Sequence, residues 1–216
     1  MIVLAMVAMC VLFFDVAAVE AARQFREDFP TFAITFWYFT NVGKLLWVML
    51  IGVPLAVYLA CNYWPVRGFS TIRERFGLYA DANFVLFSVG FAGGGASLIK
   101  NLIGRARPRH MDALGPLHFD FARFDSGFAS FPSGHSAVFG AMMVALALVM
   151  PKYKWVFLAI GALGGVSRVV LGAHYPSDVI GGLAWGAVVT LLIAHYLKRR
   201  GLLFAAGQTF WPQRHR

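Results

Sequence analysis

The residues with the clearest capacity for chemistry lie in three short motifs in the second half of the chain. These are Lys100-x6-Arg107-Pro108, Phe131-Pro132-Ser133-Gly134-His135 and Ser167-Arg168-x5-His174-x3-Asp178. Lysine and arginine side chains bind anions, and a histidine donates or accepts a proton near neutral pH. The combination indicates a site where an anionic group is held and a proton is transferred.

The first motif supplies two cations. A spacing of seven residues puts Lys100 and Arg107 two helical turns apart on one face, where both reach one anion, and Pro108 then ends the helix. Basic residues at the end of a membrane helix also extend to lipid headgroups, so this motif taken alone fits simple anchoring as well.

The second motif is typical of a helix start. Pro132 and Ser133 suit the first positions, Gly134 lets the backbone approach a ligand, and the free N–H groups of a first helical turn bind anions. His135 is then placed to transfer a proton. An ordinary helix cap followed by an interfacial histidine is the alternative.

The third motif pairs a histidine with a carboxylate. Pro176 breaks any continuous helix, so we expect His174 in a turn and Asp178 in the first turn of the next helix. A carboxylate that accepts one imidazole N–H makes the other ring nitrogen a better nucleophile. The alternative is a His–Asp pair with a structural role only.

Composition decides the setting of these motifs. Of 216 residues, 59% are hydrophobic and 13% are charged, which excludes a water-soluble monomer, a disordered chain and a disulfide scaffold. The formal charge of +9 fits anionic lipid headgroups or an anionic substrate, whereas nucleic acid is disfavoured because the basic residues form no stripe. Cys10 and Cys61 lie in apolar runs, so we expect neither a disulfide nor a metal site from them.

Apolar segments near membrane-spanning length set the fold class. The sequence predicts one all-α domain over residues 1–216, an integral membrane bundle of six transmembrane helices. The predicted spans are Ile2–Val19, Leu45–Tyr63, Ala82–Ile99, Ser136–Met150, Trp155–Leu171 and Val179–Leu197. Asp15 interrupts the first one, which resembles a signal peptide, but no basic residue precedes Arg23, so we expect a retained helix.

Pairs of glycines four residues apart predict close helix packing at Gly90 and Gly94, at Gly161 and Gly165, and at Gly182 and Gly186.

Helix parity predicts where the motifs face. Six spans return both termini to one side, and the basic run Lys198–Arg200, with Arg67, Arg73 and Arg75, assigns that side to the cytoplasm. The opposite loops are basic too, so the tally alone hardly favours either orientation. With both termini inside, all three motifs meet on the external face.

Together the ordered motifs resemble the three-part signature of the type 2 phosphatidic acid phosphatase family, which shares its site with vanadium haloperoxidases. The resemblance implies a membrane enzyme that hydrolyses a lipid phosphate or diphosphate through a phosphohistidine, in a bacterial inner membrane with the site on the periplasmic face. It implies that His174 is the nucleophile, oriented by Asp178, and that His135 is the acid and base. The phosphate would be held by the remaining motif residues, Lys100, Arg107, Ser133, Gly134 and Arg168.

The same resemblance implies no metal and no other cofactor. The expected partners are a lipid phosphate and membrane lipids, with no nucleic acid, and the oligomeric state stays open. Phosphatidylglycerophosphate, phosphatidic acid, undecaprenyl diphosphate and lipid A phosphates all remain candidate substrates. The competing hypotheses are a vanadate-dependent oxidase, which the apolar spans disfavour, and a catalytically silent lipid binder or transporter, which the intact His and Asp residues disfavour.

Overall fold

The computed structural model describes residues 2–41, 43–61, 69–204 and 212, and within these ranges the chain is α-helical. The rest of the described part contains short 3-10 turns, a π-helical turn, one isolated bridge between Arg105 and Phe119, and a long, mostly non-helical loop at residues 104–133. The α-helices are α1 Ile2–Met9, α2 Asp15–Asp28, α3 Pro30–Asn41, α4 Leu45–Cys61, α5 Phe69–Ile103, α6 Met111–Leu114, α7 Gly134–Val149, α8 Lys154–Val170 and α9 Pro176–Arg199. The all-α membrane bundle predicted from the sequence is confirmed.

The predicted count of six spans is not confirmed. Among the described residues, four helical segments are long and apolar enough to cross a membrane: Ile2–Asp28, Gly77–Ile103, Pro151–Val170 and Pro176–Arg199. A fifth crossing arises if α3 and α4, bent by 42°, form one broken span. The predicted fourth span corresponds to α7, whose 16 residues extend about 24 Å at 1.5 Å per residue, short of the roughly 30 Å hydrocarbon core.

The first half of the chain departs most from the predicted boundaries. The first apolar segment continues to Asp28, and a π-helical turn at Cys10–Phe14 separates α1 from α2. The helix α3 is not among the spans predicted from the sequence. The end of the second predicted span at Tyr63, and Arg67 of the predicted cytoplasmic loop, lie outside the described residues.

Helix α7 occupies the centre of the bundle. It packs against α5, α8 and α9 and is buried along most of its length. Its closest approach is to α9, where a Cβ on Gly182 would lie 2.5 Å from the carbonyl oxygen of Ser133. Gly186 likewise lies against the backbone of Ala137 and Ala141, whereas a Cβ on Gly94 would meet nothing within 4 Å. Close glycine-mediated packing is therefore observed at Gly182 and Gly186 and is absent at Gly94.

The order of the helices brings four helix ends to one end of the bundle. α5 ends and α7 begins there, and α8 ends and α9 begins there. Backbone hydrogen bonds join these ends, because the amide of Ser133 donates to the carbonyl oxygen of Asp178 at 3.0 Å. All three chemical motifs therefore belong to one end of the molecule.

Candidate active site

The structure brings residues of all three motifs around one histidine. Lys100, Arg168 and His174 lie close enough to His135 for their charges to lower its pKa. Lys100 Nζ lies 3.9 Å from the position that a Cβ on Gly134 would take. The amide of His174 donates to the carbonyl oxygen of Arg168 at 3.3 Å, which fixes the turn between α8 and α9.

The first motif does not lie on one helical face, so that part of the interpretation was wrong. α5 ends at Ile103, and Gly104 follows with a φ of +66°, a conformation that favours glycine because it has no Cβ. Arg107 lies beyond this turn, where its amide donates to the carbonyl oxygen of Gly127 at 2.9 Å. Tertiary hydrogen bonds, and not helix periodicity, place Arg107 near Lys100. Pro108 begins a 3-10 turn and does not end α5.

The second motif starts α7. Ser133 is fully buried and is the N-cap residue, with its Oγ accepting from the amide of Ser136 at 3.4 Å and from the hydroxyl of Ser136 at 2.9 Å. Gly134 is the first residue of the helix, where backbone N–H groups have no partner inside the helix. The Ser133 hydroxyl thus serves as a cap, and the first turn of α7 presents amides next to Lys100.

The third motif places a buried carboxylate beside a buried imidazole. α9 begins at Pro176, which leaves His174 in the preceding turn and Asp178 in the first turn of the helix. His174 Nδ1 lies 3.7 Å from Asp178 Oδ2, longer than a hydrogen bond. Asp178 Oδ2 instead accepts from the Ser130 hydroxyl at 2.6 Å and from the Tyr175 amide at 2.9 Å. The carboxylate is therefore held in place by groups other than the histidine.

Several buried polar atoms of the site have no hydrogen-bond partner among the residues that the structure describes. They are Nε of Arg107, Nε of Arg168, Nε2 of His135 and Nδ1 of His174. Arg168 is oriented by a hydrogen bond from its NH1 to Thr40 Oγ1 at 3.1 Å. Nitrogen donors of this kind, gathered around a helix N-terminus, suit a multiply charged oxyanion.

Burial sets the protonation of His174 and makes the charged form of Arg107 less favourable. Desolvation lowers the pKa of His174, so its imidazole is neutral at pH 7. Neutral imidazole carries the free lone pair that a nucleophile needs. Burial, together with the neighbouring Arg109, also lowers the pKa of Arg107, so an anion bound there relieves an unfavourable charge.

Four residues that shape this site were not predicted as site residues from the sequence. Arg105 donates to Asp178 Oδ1 at 2.6 Å, Asp15 holds Arg105, Ser130 holds Asp178, and Thr40 holds Arg168. A detectable signal existed for Asp15 alone, because an acidic residue inside an apolar segment is costly unless a buried partner compensates it. Ser130 and Thr40 carried no comparable signal.

Comparison with known proteins agrees with this geometry. The model of the PAP2 superfamily matches residues 81–202, which include all three motifs. The chain belongs to the PAP2 superfamily. It is 48% identical over 175 residues to a lipid A 1-phosphatase of Rhizobium johnstonii, covering 80% of this chain and 71% of that protein. It is also 37% identical over 173 residues to a lipid A 1-phosphatase of Rhizobium etli, covering 80% and 75%.

A solved structure supports the fold of this PAP2 chain. The crystal structure of a transmembrane PAP2 type phosphatidylglycerolphosphate phosphatase from Bacillus subtilis matches with a TM-score of 0.61 at 24% identity, over 91% of this chain and 94% of the other. Sequence and fold together show that the chain is an integral membrane lipid phosphatase. The expectations of an enzyme and of a lipid phosphate substrate are confirmed.

Arg168 provides the first test of the site. Arg168→Ala is expected to lower kcat by about 10²- to 10³-fold, the usual effect of removing one donor that stabilises a transition-state oxyanion. Inhibition by vanadate, which mimics the five-coordinate phosphorus, should weaken in parallel. Arg199→Ala, an exposed cation at the other end of α9, is the matched control and should behave as wild type. Vanadate inhibition that is unchanged in Arg168→Ala would show that Arg168 only holds α3 through Thr40.

Proposed function

We propose that this chain removes the phosphate at the 1-position of lipid A, through a covalent phosphohistidine formed on His174. The observation that carries the chemistry is the neutral, buried His174 beside a fixed carboxylate, near Arg107 and Arg168, whose Nε atoms are buried with no hydrogen-bond partner among the described residues. The similarity to the lipid A 1-phosphatases of the two Rhizobium species, which match 80% of this chain, supports the substrate.

In the first step His174 attacks phosphorus. Nδ1 faces Asp178, so Nε2 is the ring nitrogen that supplies the lone pair. As the N–P bond forms, the P–O bond to the lipid breaks, and His135 gives a proton to the departing oxygen. Burial and the neighbouring cations lower the pKa of His135 to about 3, so the negative charge of the bound phosphate has to hold that proton on His135. Asp178 stabilises the positive charge that develops on the imidazole of His174.

In the second step water completes the reaction. His135, now neutral, takes a proton from the water molecule as its oxygen attacks phosphorus. The N–P bond breaks, inorganic phosphate leaves, and His174 returns to its neutral form. Both steps build negative charge on the equatorial oxygens of phosphorus. The groups proposed to stabilise that charge are Lys100, Arg107, Ser133, Gly134 and Arg168.

The substrate proposal is tested by phosphate release from purified protein in detergent. The panel contains lipid A, phosphatidylglycerophosphate, phosphatidic acid and undecaprenyl diphosphate, each with and without excess EDTA. We expect kcat/KM to be at least about tenfold higher for lipid A, as for enzymes that discriminate through contacts beyond the reacting group. Mass spectrometry should show loss of the 1-phosphate, and EDTA should leave the rate unchanged. Faster release from another lipid, or an EDTA loss that Mg²⁺ restores, would contradict the proposal.

The two histidines are separated by their dependence on the leaving group. His135→Ala is expected to slow the pre-steady-state burst by about 10²- to 10⁴-fold for a lipid phosphomonoester, whose alkoxide must be protonated. The loss should be smaller for an aryl phosphate, because a nitrophenolate departs without a proton. His174→Ala should give no burst with either substrate, since no covalent intermediate forms. Equal burst defects for both substrates in His135→Ala would reject the acid role, and a burst from His174→Ala would reject the nucleophile.

We further propose that the site faces the periplasm of a bacterial inner membrane, with both termini in the cytoplasm. The support is the basic end of α9, at Lys198 and Arg199, because positive residues flanking membrane helices favour the cytoplasmic side. The turn between α7 and α8 is at the end of α7 opposite the site. It contains Lys152, which this arrangement assigns to the cytoplasmic side.

Cysteine labelling in intact cells tests this orientation. In a chain with Cys10→Ala and Cys61→Ser, Ser126→Cys should react with a membrane-impermeant thiol reagent, because Ser126 is exposed beside the site. Lys152→Cys, exposed at the opposite end, should react only after the membrane is permeabilised. The reverse labelling pattern would overturn the topology.

A further inference from the structure

A buried arginine outside the phosphate site connects it to the first apolar segment. The guanidinium of Arg105 is 2% exposed and lies 4.3 Å above the ring of Tyr175. Its NH1 donates to Asp178 Oδ1 at 2.6 Å and to Ser177 Oγ at 2.6 Å, and its NH2 donates to Asp15 Oδ2 at 2.8 Å. One guanidinium therefore bridges the carboxylate beside His174 and a carboxylate from the other half of the chain.

Asp15 reaches this bridge because of local helix geometry. It is the first residue of α2, directly after the π-helical turn Cys10–Phe14, and it is fully buried. The next buried residues of α2 are Val19 and Ala22, which continue the same helical face. Single π-helical turns inside α-helices are frequent at functional sites. The placement of a charge in an otherwise apolar segment is thus matched by a specific buried partner.

Asp15 also holds the start of α9. Its Oδ1 accepts from the Ser177 amide at 3.0 Å, and its Oδ2 accepts from the Ser177 hydroxyl at 2.5 Å. Ser177 is adjacent to Asp178, so this contact and the Arg105 bridge fix the same turn from two directions. Asp178 Oδ1 is bound by Arg105, whereas Oδ2 faces His174 at 3.7 Å. The orientation of the Asp178 carboxylate depends on its hydrogen bond from Arg105 and on the contact between Asp15 and Ser177.

The net charge of the cluster formed by Arg105, Asp15 and Asp178 affects the charge that His174 can carry. Arg105 carries one positive charge and is shared by two carboxylates, Asp15 and Asp178, so the cluster has a net charge of −1. With Asp15 neutral, Arg105 would cancel the charge of Asp178. The imidazole of His174 gains positive charge only as it attacks phosphorus, so a net negative cluster beside it favours the transition state over the ground state.

We propose that Asp15, acting through Arg105 and Ser177, is a positioning residue that keeps Asp178 aligned and net anionic toward His174. This inference rests on the roles proposed above for His174 and Asp178, and it is independent of which lipid is hydrolysed. Asp15 touches neither substrate nor the reacting atoms. Its contribution is therefore to the chemical step and not to phosphate binding.

The test separates kcat from binding in Asp15→Asn, which keeps the size of the side chain and removes its charge. With the panel lipid that wild type hydrolyses fastest, kcat should fall by about 10- to 100-fold, the range for groups that act through hydrogen bonds on a reacting residue. KM and the inhibition constant of inorganic phosphate should stay within about twofold of wild type, because the groups proposed to bind phosphate are unchanged. Glu20→Gln, an exposed carboxylate of the same helix, is the matched control and should match wild type.

A second variant guards against loss of folding. Ser177→Ala removes the hydroxyl that accepts from Arg105 and donates to Asp15. It should lower kcat about 3- to 10-fold, with KM and phosphate inhibition unchanged, as expected for the loss of buried hydrogen bonds. If Asp15→Asn does not yield folded protein, Ser177→Ala decides by the same criteria. Wild-type kcat in the folded variants would overturn the inference, and so would a fall in kcat accompanied by weaker phosphate inhibition, which indicates a general structural role.

A reference variant separates this inference from the proposed chemistry. His174→Ala is measured beside the others. An inactive His174→Ala with a fully active Asp15→Asn overturns the positioning role alone. An active His174→Ala overturns the proposed nucleophile, whatever Asp15→Asn does.

Discussion

The buried Arg105 guanidinium joins three parts of the chain that are far apart in sequence. It contacts Asp15 of α2, the carbonyl oxygen of Pro116 in the loop between α6 and α7, and Asp178 of α9. Removing one partner of a buried ion pair costs about 3–5 kcal/mol, because the remaining charge is left uncompensated. In an apolar bundle this penalty selects the single arrangement in which all of these partners meet. The alignment of α9, and with it the site, depends on that arrangement.

The charged groups of the site form two sets, one around Arg105 and one around His135. Around Arg105 the charges are paired, and the hydrogen bonds are mostly satisfied within the protein. Around His135 the nitrogen donors of Arg107 and Arg168 keep buried positions without a protein partner. Fixed donors of this second kind need no reorganisation when negative charge builds on phosphorus, which is the largest single source of catalysis in many enzymes. Their mutual repulsion is tolerated because the paired cluster next to them is net negative.

The sequence was sufficient for the fold class and the membership of the motifs, because both depend on local signals. Apolar length predicts membrane helices, and Pro176 predicted the start of α9. The placement of Arg107 was not predictable, because it depends on the turn at Gly104 and on hydrogen bonds to residues about twenty positions away. The helix α3 was not predicted, whereas the predicted fourth span was already short for a full crossing, and α7 is short and buried against α5, α8 and α9.

The location of the reacting groups at helix ends, and not in the middle of the bundle, follows from the chemistry of a lipid phosphate. α5, α7, α8 and α9 all end or begin at the candidate site, so in the proposed reaction only the phosphoryl group has to leave water while the apolar chains of the lipid stay in the membrane. His174 is 2% exposed, and around it electrostatic interactions are stronger than in bulk water. Hydrolysis nevertheless needs one water molecule per turnover, which a site in the hydrocarbon core would not receive. A buried site at the helix ends satisfies both demands, and the ion pairs of Arg105 with Asp15 and Asp178 fix the start of α9 there.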